Sequence, residues 1–154
     1  MKSHVVLIGL ALALCGCTSL RESAHGATAF DATTTAIGVG SGIAVEANPL
    51  IVSPLAFAGV MLARVVGVEV VNQWDEPQRT QSLSVLNSVW WGVGISNALI
   101  ILAASNPVGW AFGAMAGLGW WASTENQRLF AQACAQERER LGNAKLVCIY
   151  RPPA

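Results

Sequence analysis

The sequence predicts an all-α membrane protein, with two helical hairpins (about four spans) and a short soluble C-terminal helix-turn-strand tail. Hydrophobic residues make up 53% of the 154 residues and charged residues only 12%, against a usual charged share of roughly 25%. Residues 80–124 contain no Asp, Glu, Lys or Arg, and Asn-Pro pairs at Asn48-Pro49 and Asn106-Pro107 interrupt the apolar stretches. A soluble domain would need charged outer faces, which this segment lacks.

Composition also excludes two classes of function or state. Nine Lys and Arg residues balance nine Asp and Glu residues, which gives a formal net charge of zero. Because nucleic-acid binding requires a basic surface, no nucleic-acid partner is expected. High hydrophobicity combined with low charge argues against intrinsic disorder.

Residues 1–16 are expected to be a signal peptide. A lysine at position 2 precedes an apolar run over residues 5–14. That run is too short to span a bilayer, which needs about 20 residues, and has the length typical of a secretory signal. An ordinary signal peptide or signal anchor with incidental cysteines remains the alternative to the interpretation that follows.

The end of this segment, Leu14-Cys15-Gly16-Cys17, resembles the lipobox of bacterial lipoproteins. The resemblance implies that Cys17 receives a diacylglycerol, that cleavage occurs before it, and that the new amine is acylated. These covalent groups are the only cofactors expected. Cys15 competes for this role, but Leu14 before it is bulky for a position that favours small residues.

After a linker over residues 17–30, a helical membrane domain is expected over residues 31–123, beginning with a hairpin. Its helices are expected over residues 32–45 and 49–71, joined by a turn at Glu46, Asn48 and Pro49, because the residue before proline is disfavoured in a helix. If the turn is centred there, residue i faces residue 95 minus i. That relation predicts an ion pair between Asp31 and Arg64. In the alternative, Arg64 extends to lipid headgroups and Asp31 only caps a helix.

Part of this hairpin carries a second resemblance. Asp31-Ala32-Thr33-Thr34-Thr35 followed by Glu46-Ala47-Asn48-Pro49 resembles the Asp-x-x-Thr-Thr … Glu-x-Asn-Pro pattern of an uncharacterised family of small bacterial multi-span membrane proteins. The similarity covers residues 30–72 and implies a multi-span fold without any assigned activity. The lipobox and the cysteine-containing tail depart from the family pattern.

The second hairpin is expected over residues 83–104 and 107–122. Gly109, Gly113 and Gly117 recur every four residues in its last helix, and such a ridge lets another helix approach closely. Two interpretations are open. The ridge forms a homo-oligomer interface, or it packs against the third span of the same chain, where Gly92, Ser96 and Ala103 offer space.

The tail, residues 124–154, is expected to form a helix and a short strand. Cys134 and Cys148 are expected to form a disulfide in an oxidising compartment. His25 has no visible partner, and the absence of paired Cys or His spacing predicts no metal site. Four spans would return the tail to the side of Cys17, the periplasm. The positive-inside rule opposes this, because the tail carries five basic residues and the proposed cytoplasmic turns carry none. That rule requires an odd number of spans, most simply three.

The sequence contains no catalytic motif, so no catalytic residues and no enzyme activity are expected. The predicted function is that of a structural or interaction module of the bacterial envelope. Its expected partners are membrane lipid and either further copies of itself or another envelope protein. The inner membrane is favoured over the outer, because several apolar helices resist extraction. The alternatives are an oligomeric pore or transport-associated component built on the glycine ridge, and an enzyme accessory subunit.

Overall fold

A computed structural model describes residues 19–42, 53–102 and 106–150. All the regular secondary structure in these residues is helical, which confirms the all-α class. The five helices, in chain order, are α1 (Leu20–Gly40), α2 (Pro54–Asn72), α3 (Gln78–Ile101), α4 (Asn106–Ser123) and α5 (Glu125–Leu141). The predicted turn at Glu46, Asn48 and Pro49 lies outside the described residues, as does Cys17.

Helix α1 begins earlier than predicted. Ser19 caps it: the Ser19 hydroxyl accepts a hydrogen bond from the Glu22 N–H at 3.3 Å, and the Glu22 carboxylate accepts from the Ser19 N–H at 2.9 Å. This reciprocal capping box satisfies backbone donors that a helix start otherwise leaves free. Residues 20–30 are therefore helical, and the prediction of a linker over residues 17–30 was wrong for this part.

Helix α2 begins at Pro54, five residues later than the predicted start. Ser53 accepts a hydrogen bond from the Ala56 N–H at 3.1 Å, and Pro54 occupies the first turn, where its missing N–H costs nothing. Val68 is the one residue of α2 that the other helices bury. The helix therefore presents most of its surface outward.

Helix α3 is the centre of the bundle, with α1, α2 and α4 packed around it. A Cβ atom at Gly94 would lie 2.6 Å from Phe30 Cδ1 in α1, and one at Gly92 would lie 2.8 Å from the Gly113 carbonyl oxygen in α4. The two glycines thus let neighbours approach on different faces of one helix. The apolar core between α1, α2 and α3 consists of Ala24, Ala27, Val68, Leu83 and Trp90.

The glycine ridge of α4 faces α3. A Cβ atom would lie 2.5 Å from the Gly92 carbonyl oxygen if added at Gly113, 2.6 Å from the Ser88 carbonyl oxygen if added at Gly117, and 2.9 Å from Ile100 Cγ1 if added at Gly109. Of the two interpretations of this ridge, the structure adopts the one in which it packs within the chain.

Two helices, α2 and α3, are long and apolar enough to cross a membrane, with mean hydropathies of 1.8 and 1.3 over their most apolar windows. The structure thus supports membrane association at a coarser level than the four spans predicted from the sequence.

The tail folds as a helix followed by an extended segment. Cys134 of α5 and Cys148 lie at disulfide-bonding distance, with their Cα atoms 6.0 Å apart. Arg138 Nε donates to the Leu146 carbonyl at 2.8 Å, and the rings of Phe130 and Tyr150 lie 5.4 Å apart. Residues 146–150 form no strand, contrary to the prediction, because the described residues offer them no neighbouring strand with which to pair.

Candidate functional site

The candidate site is a buried polar network that joins the three helices α1, α2 and α3. Arg64 Nη1 of α2 donates a hydrogen bond to Asp31 Oδ2 of α1. The Asp31 side chain is only 3% exposed and that of Arg64 is 20% exposed. The antiparallel register predicted from the sequence, in which residue i faces residue 95 minus i, placed these two residues opposite each other.

Asn97 of α3 completes the network from the third helix. Its Nδ2 group donates to Asp31 Oδ1 at 2.9 Å and to Thr35 Oγ1 at 3.0 Å. Each carboxylate oxygen of Asp31 therefore accepts a hydrogen bond from a different helix. Asn97 was not predicted to take part in a polar contact. A signal was present, since an amide inside an uncharged apolar helix is costly unless it is hydrogen-bonded.

Aromatic packing fixes the guanidinium of this network. The Arg64 Cζ atom lies 5.5 Å from the centroid of the Trp90 ring of α3. A cation over an indole face is stabilised by the ring quadrupole, most strongly where water is excluded. Arg64 thus contacts both neighbouring helices, α1 through a charge pair and α3 through an aromatic face.

A second polar cluster lies towards one end of the α1–α2 pair. Arg21 Nη2 lies 2.8 Å and His25 Nε2 lies 2.7 Å from the same oxygen, Glu69 Oε1. These side chains are partly exposed, in contrast to Asp31. The expectation that His25 has no partner was wrong. Helix α1 begins at Leu20, so His25 lies within the helix and contacts Glu69 of α2.

An open groove of about 640 Å³ runs along α3 and α4. Its walls are mainly apolar, with Val89, Val93, Trp110 and Leu118 among the lining residues, and Asn97 is a polar residue of the lining. The polar network thus reaches a surface groove through one amide group.

The chemistry of the network favours cohesion between the helices. Both Asp31 oxygens accept hydrogen bonds from fixed donors, and the charge of Arg64 is compensated by Asp31. A buried carboxylate satisfied in this way holds its neighbours in one register.

Comparison with protein-family models, with curated proteins and with solved structures found no match to this chain.

Proposed function

We propose that this protein is a lipid-anchored membrane protein of the bacterial envelope that acts as a structural or interaction module. The observation that carries the proposal is the outward surface of α2. Leu55 is 84% exposed, Leu62 64% and Val66 51%, on a helix whose mean hydropathy reaches 1.8. A contiguous apolar surface of this kind is unfavourable in water and is solvated by lipid or covered by other helices.

The polar network supports a rigid module. Asp31, Arg64 and Asn97 tie three helices together at one level of the bundle. Such contacts oppose sliding of smooth apolar helices past one another, and a fixed shape is what an interaction module requires.

A small-residue ridge on α2 supports a helical partner. Gly59, Ala63 and Gly67 recur every four residues, and a Cβ atom added at either glycine would meet nothing within 4 Å. The ridge on α2 is therefore open, whereas the ridge on α4 is covered by α3. A further copy of the chain or another envelope protein can approach closely along the open ridge.

The arrangement of helix ends supports an even number of spans. Asn87 Nδ2 donates to the Leu20 carbonyl at 2.9 Å, which places the start of α1 beside the first half of α3. A Cβ atom at Gly117 would lie 2.6 Å from the Ser88 carbonyl oxygen, which places the end of α4 at the same level. The tail therefore leaves the bundle at the end where α1 starts, and Leu20, the first residue of α1, follows Cys17 by three positions in the sequence. We propose four spans, an inner-membrane location and a periplasmic tail, and the disulfide-distance cysteines agree with an oxidising compartment.

The pore alternative receives less support, because it was built on the ridge of Gly109, Gly113 and Gly117, and that ridge is covered within the chain. We therefore favour a scaffold over a glycine-zipper pore.

Cross-linking in native membranes tests the proposal, with wild type compared with Gly59→Ile and Gly119→Ile. Gly59 lies on the open ridge, and Gly119 is an equally open position on α4 that serves as the matched control. We expect a defined cross-linked adduct in wild type and in Gly119→Ile, and its loss in Gly59→Ile. Purified protein in liposomes should pass no ions. Ion flux above that of empty liposomes, or equal adducts in both variants, would contradict the scaffold interpretation.

A further inference from the structure

Arg128 is buried at the junction of α4 and α5, where it contacts Trp121 and Thr124. Its Nη1 group donates to the Trp121 carbonyl oxygen and to Thr124 Oγ1, both at 2.6 Å. Its Cζ atom lies 3.5 Å from the centroid of the Trp121 ring. Arg128 is only 8% exposed, so the guanidinium is fixed between the helix break and an indole face.

No carboxylate of the described residues forms an ion pair with Arg128. The arginines that form ion pairs among the described residues are Arg21, Arg64, Arg79 and Arg140. Burial lowers the pKa of the Arg128 guanidinium, and the nearby charge of Glu125 opposes that shift in part. Because arginine does not lose its proton in proteins, the site retains a cation that an anion would stabilise.

The remaining donors of Arg128 have the geometry of an anion fork. Nη1 makes both protein hydrogen bonds, and within the described residues Nε and Nη2 make none. Among the described residues, the buried side-chain polar atoms that lack a hydrogen-bond partner belong to Ser84, Asn87 and Trp120. Nε and Nη2 of Arg128 also lack a partner but are not among these buried atoms, so both nitrogens are accessible from the surface. The Nε and Nη2 protons lie along one edge of the guanidinium plane. That edge can donate two parallel hydrogen bonds to two oxygens of one phosphate group.

We propose that this edge of Arg128 binds a phosphate group, and that its source is a phospholipid headgroup at the membrane surface. Trp121 lies in the last turn of the apolar helix α4, and tryptophans at the ends of spans lie at the headgroup level, where lipid phosphates are found. The phosphate chemistry rests on Arg128 alone, and the lipid source rests also on the membrane placement proposed above.

A purely structural role for Arg128 makes a different prediction. If Nη1 only closes the helix break, any side chain that donates to Trp121 and Thr124 should suffice and no ligand should matter. Lysine keeps the charge and a donor but lacks the two-nitrogen edge. Comparison of arginine with lysine therefore separates closure of the break from recognition of phosphate.

The test uses the full chain purified in a neutral detergent, with thermal unfolding as the readout. The probes are dihexanoyl-phosphatidylglycerol, dihexanoylglycerol without phosphate, and inorganic phosphate. Wild type is compared with Arg128→Lys, Arg128→Gln and Arg140→Gln, the last being an exposed arginine of the same helix, paired with Glu137. We expect the phospholipid, and not dihexanoylglycerol, to raise the unfolding midpoint of wild type and of Arg140→Gln. Arg128→Lys should need about tenfold more phospholipid for the same shift, and Arg128→Gln should not respond.

An equal response to phospholipid in wild type, Arg128→Lys and Arg128→Gln would overturn the proposal. If Arg128→Gln does not fold, an Arg128→Lys response equal to that of wild type is by itself sufficient to overturn it. A response of wild type to inorganic phosphate as large as to phospholipid would support the phosphate site and overturn the lipid source. Failure of the membrane placement would leave that phosphate response in place, so the two proposals fail separately.

Discussion

Asp31 and Arg64 meet between α1 and α2 at sequence positions that sum to 95 (31 + 64), and His25 and Glu69 meet at positions that sum to 94 (25 + 69). Nearly equal sums are the property of an antiparallel pair of helices in one register. Two side-chain contacts therefore fix the same alignment, one deep in the bundle and one nearer its end. The first three predictions concern the contacts that hold this bundle together.

Removing either charge of the Asp31–Arg64 pair should destabilise the bundle. We expect Asp31→Ala and Arg64→Ala each to cost roughly 3 kcal/mol, because each leaves an uncompensated charge among apolar helices. The double variant should cost less than the sum, measured as the free energy of unfolding in detergent. Arg140→Ala, in an exposed pair, is the control and should change stability by less than about 1 kcal/mol. Strict additivity of the two single changes would contradict coupling within the pair.

Loss of Asn97 should destabilise the bundle while leaving both charges in place. Asn97→Leu removes the donor for Asp31 Oδ1 and Thr35 Oγ1. We expect a cost of about 1–3 kcal/mol, since a buried carboxylate oxygen is left without its partner. The same measurement on Asn126→Leu, at an exposed position of α5, provides the baseline. Equal stability of the two variants would show that the hydrogen bonds of Asn97 contribute nothing to the stability of the bundle.

A side chain at Gly113 should force α3 and α4 apart. The Cβ atom of Gly113→Ala would lie 2.5 Å from the Gly92 carbonyl oxygen, which belongs to backbone and has little freedom to move. We expect a loss of about 1–3 kcal/mol on thermal unfolding in detergent, as is typical for overpacking. Gly119→Ala has open space around it and should be neutral. A neutral Gly113→Ala would mean that α4 packs differently against α3.

Mass spectrometry of the mature N-terminal peptide should find a diacylglycerol adduct on Cys17. The lipobox resemblance also predicts that Cys17→Ser accumulates as an uncleaved precursor, because the modified sulfur is required before cleavage. Cys15→Ser should be processed normally and serves as the control. An unmodified Cys17 in an intact N-terminal segment would refute the lipid anchor.

The redox state of Cys134 and Cys148 in intact cells should show on which side of the membrane the tail lies. With four spans, Cys134 and Cys148 should resist alkylation in intact cells until a reductant is added, because the disulfide forms outside the cytoplasm. A reporter fused after Ala154 should be active only in its periplasmic form. Free thiols in native cells, together with a reporter active in the cytoplasm, would establish three spans and agree with the basic residues of the tail.

The sequence was informative where geometry follows from chain order alone. The Asp31–Arg64 contact could be predicted because a hairpin with a located turn leaves one antiparallel register. The part played by Asn97 could not, because the rotation of α3 about its own axis depends on packing with helices distant in sequence. The start of α1 at Leu20 was not predicted, because its signal is the Ser19–Glu22 capping box and the polar residues that follow carry no apolar pattern. The extended segment 146–150 has an apolar pattern without a partner strand, and pattern alone does not supply one.

The position of Asn97 in the third helix has a consequence for synthesis of the protein. If α1 and α2 enter the membrane first, as the proposed four spans imply, Asp31 can already pair with Arg64, but its Oδ1 atom lacks the Asn97 donor until residue 97 has been made. A nascent hairpin that ends before α3 therefore carries a buried carboxylate that is only half satisfied. Under the proposed placement, the polar contacts of the first hairpin are therefore complete only when the third helix has been inserted.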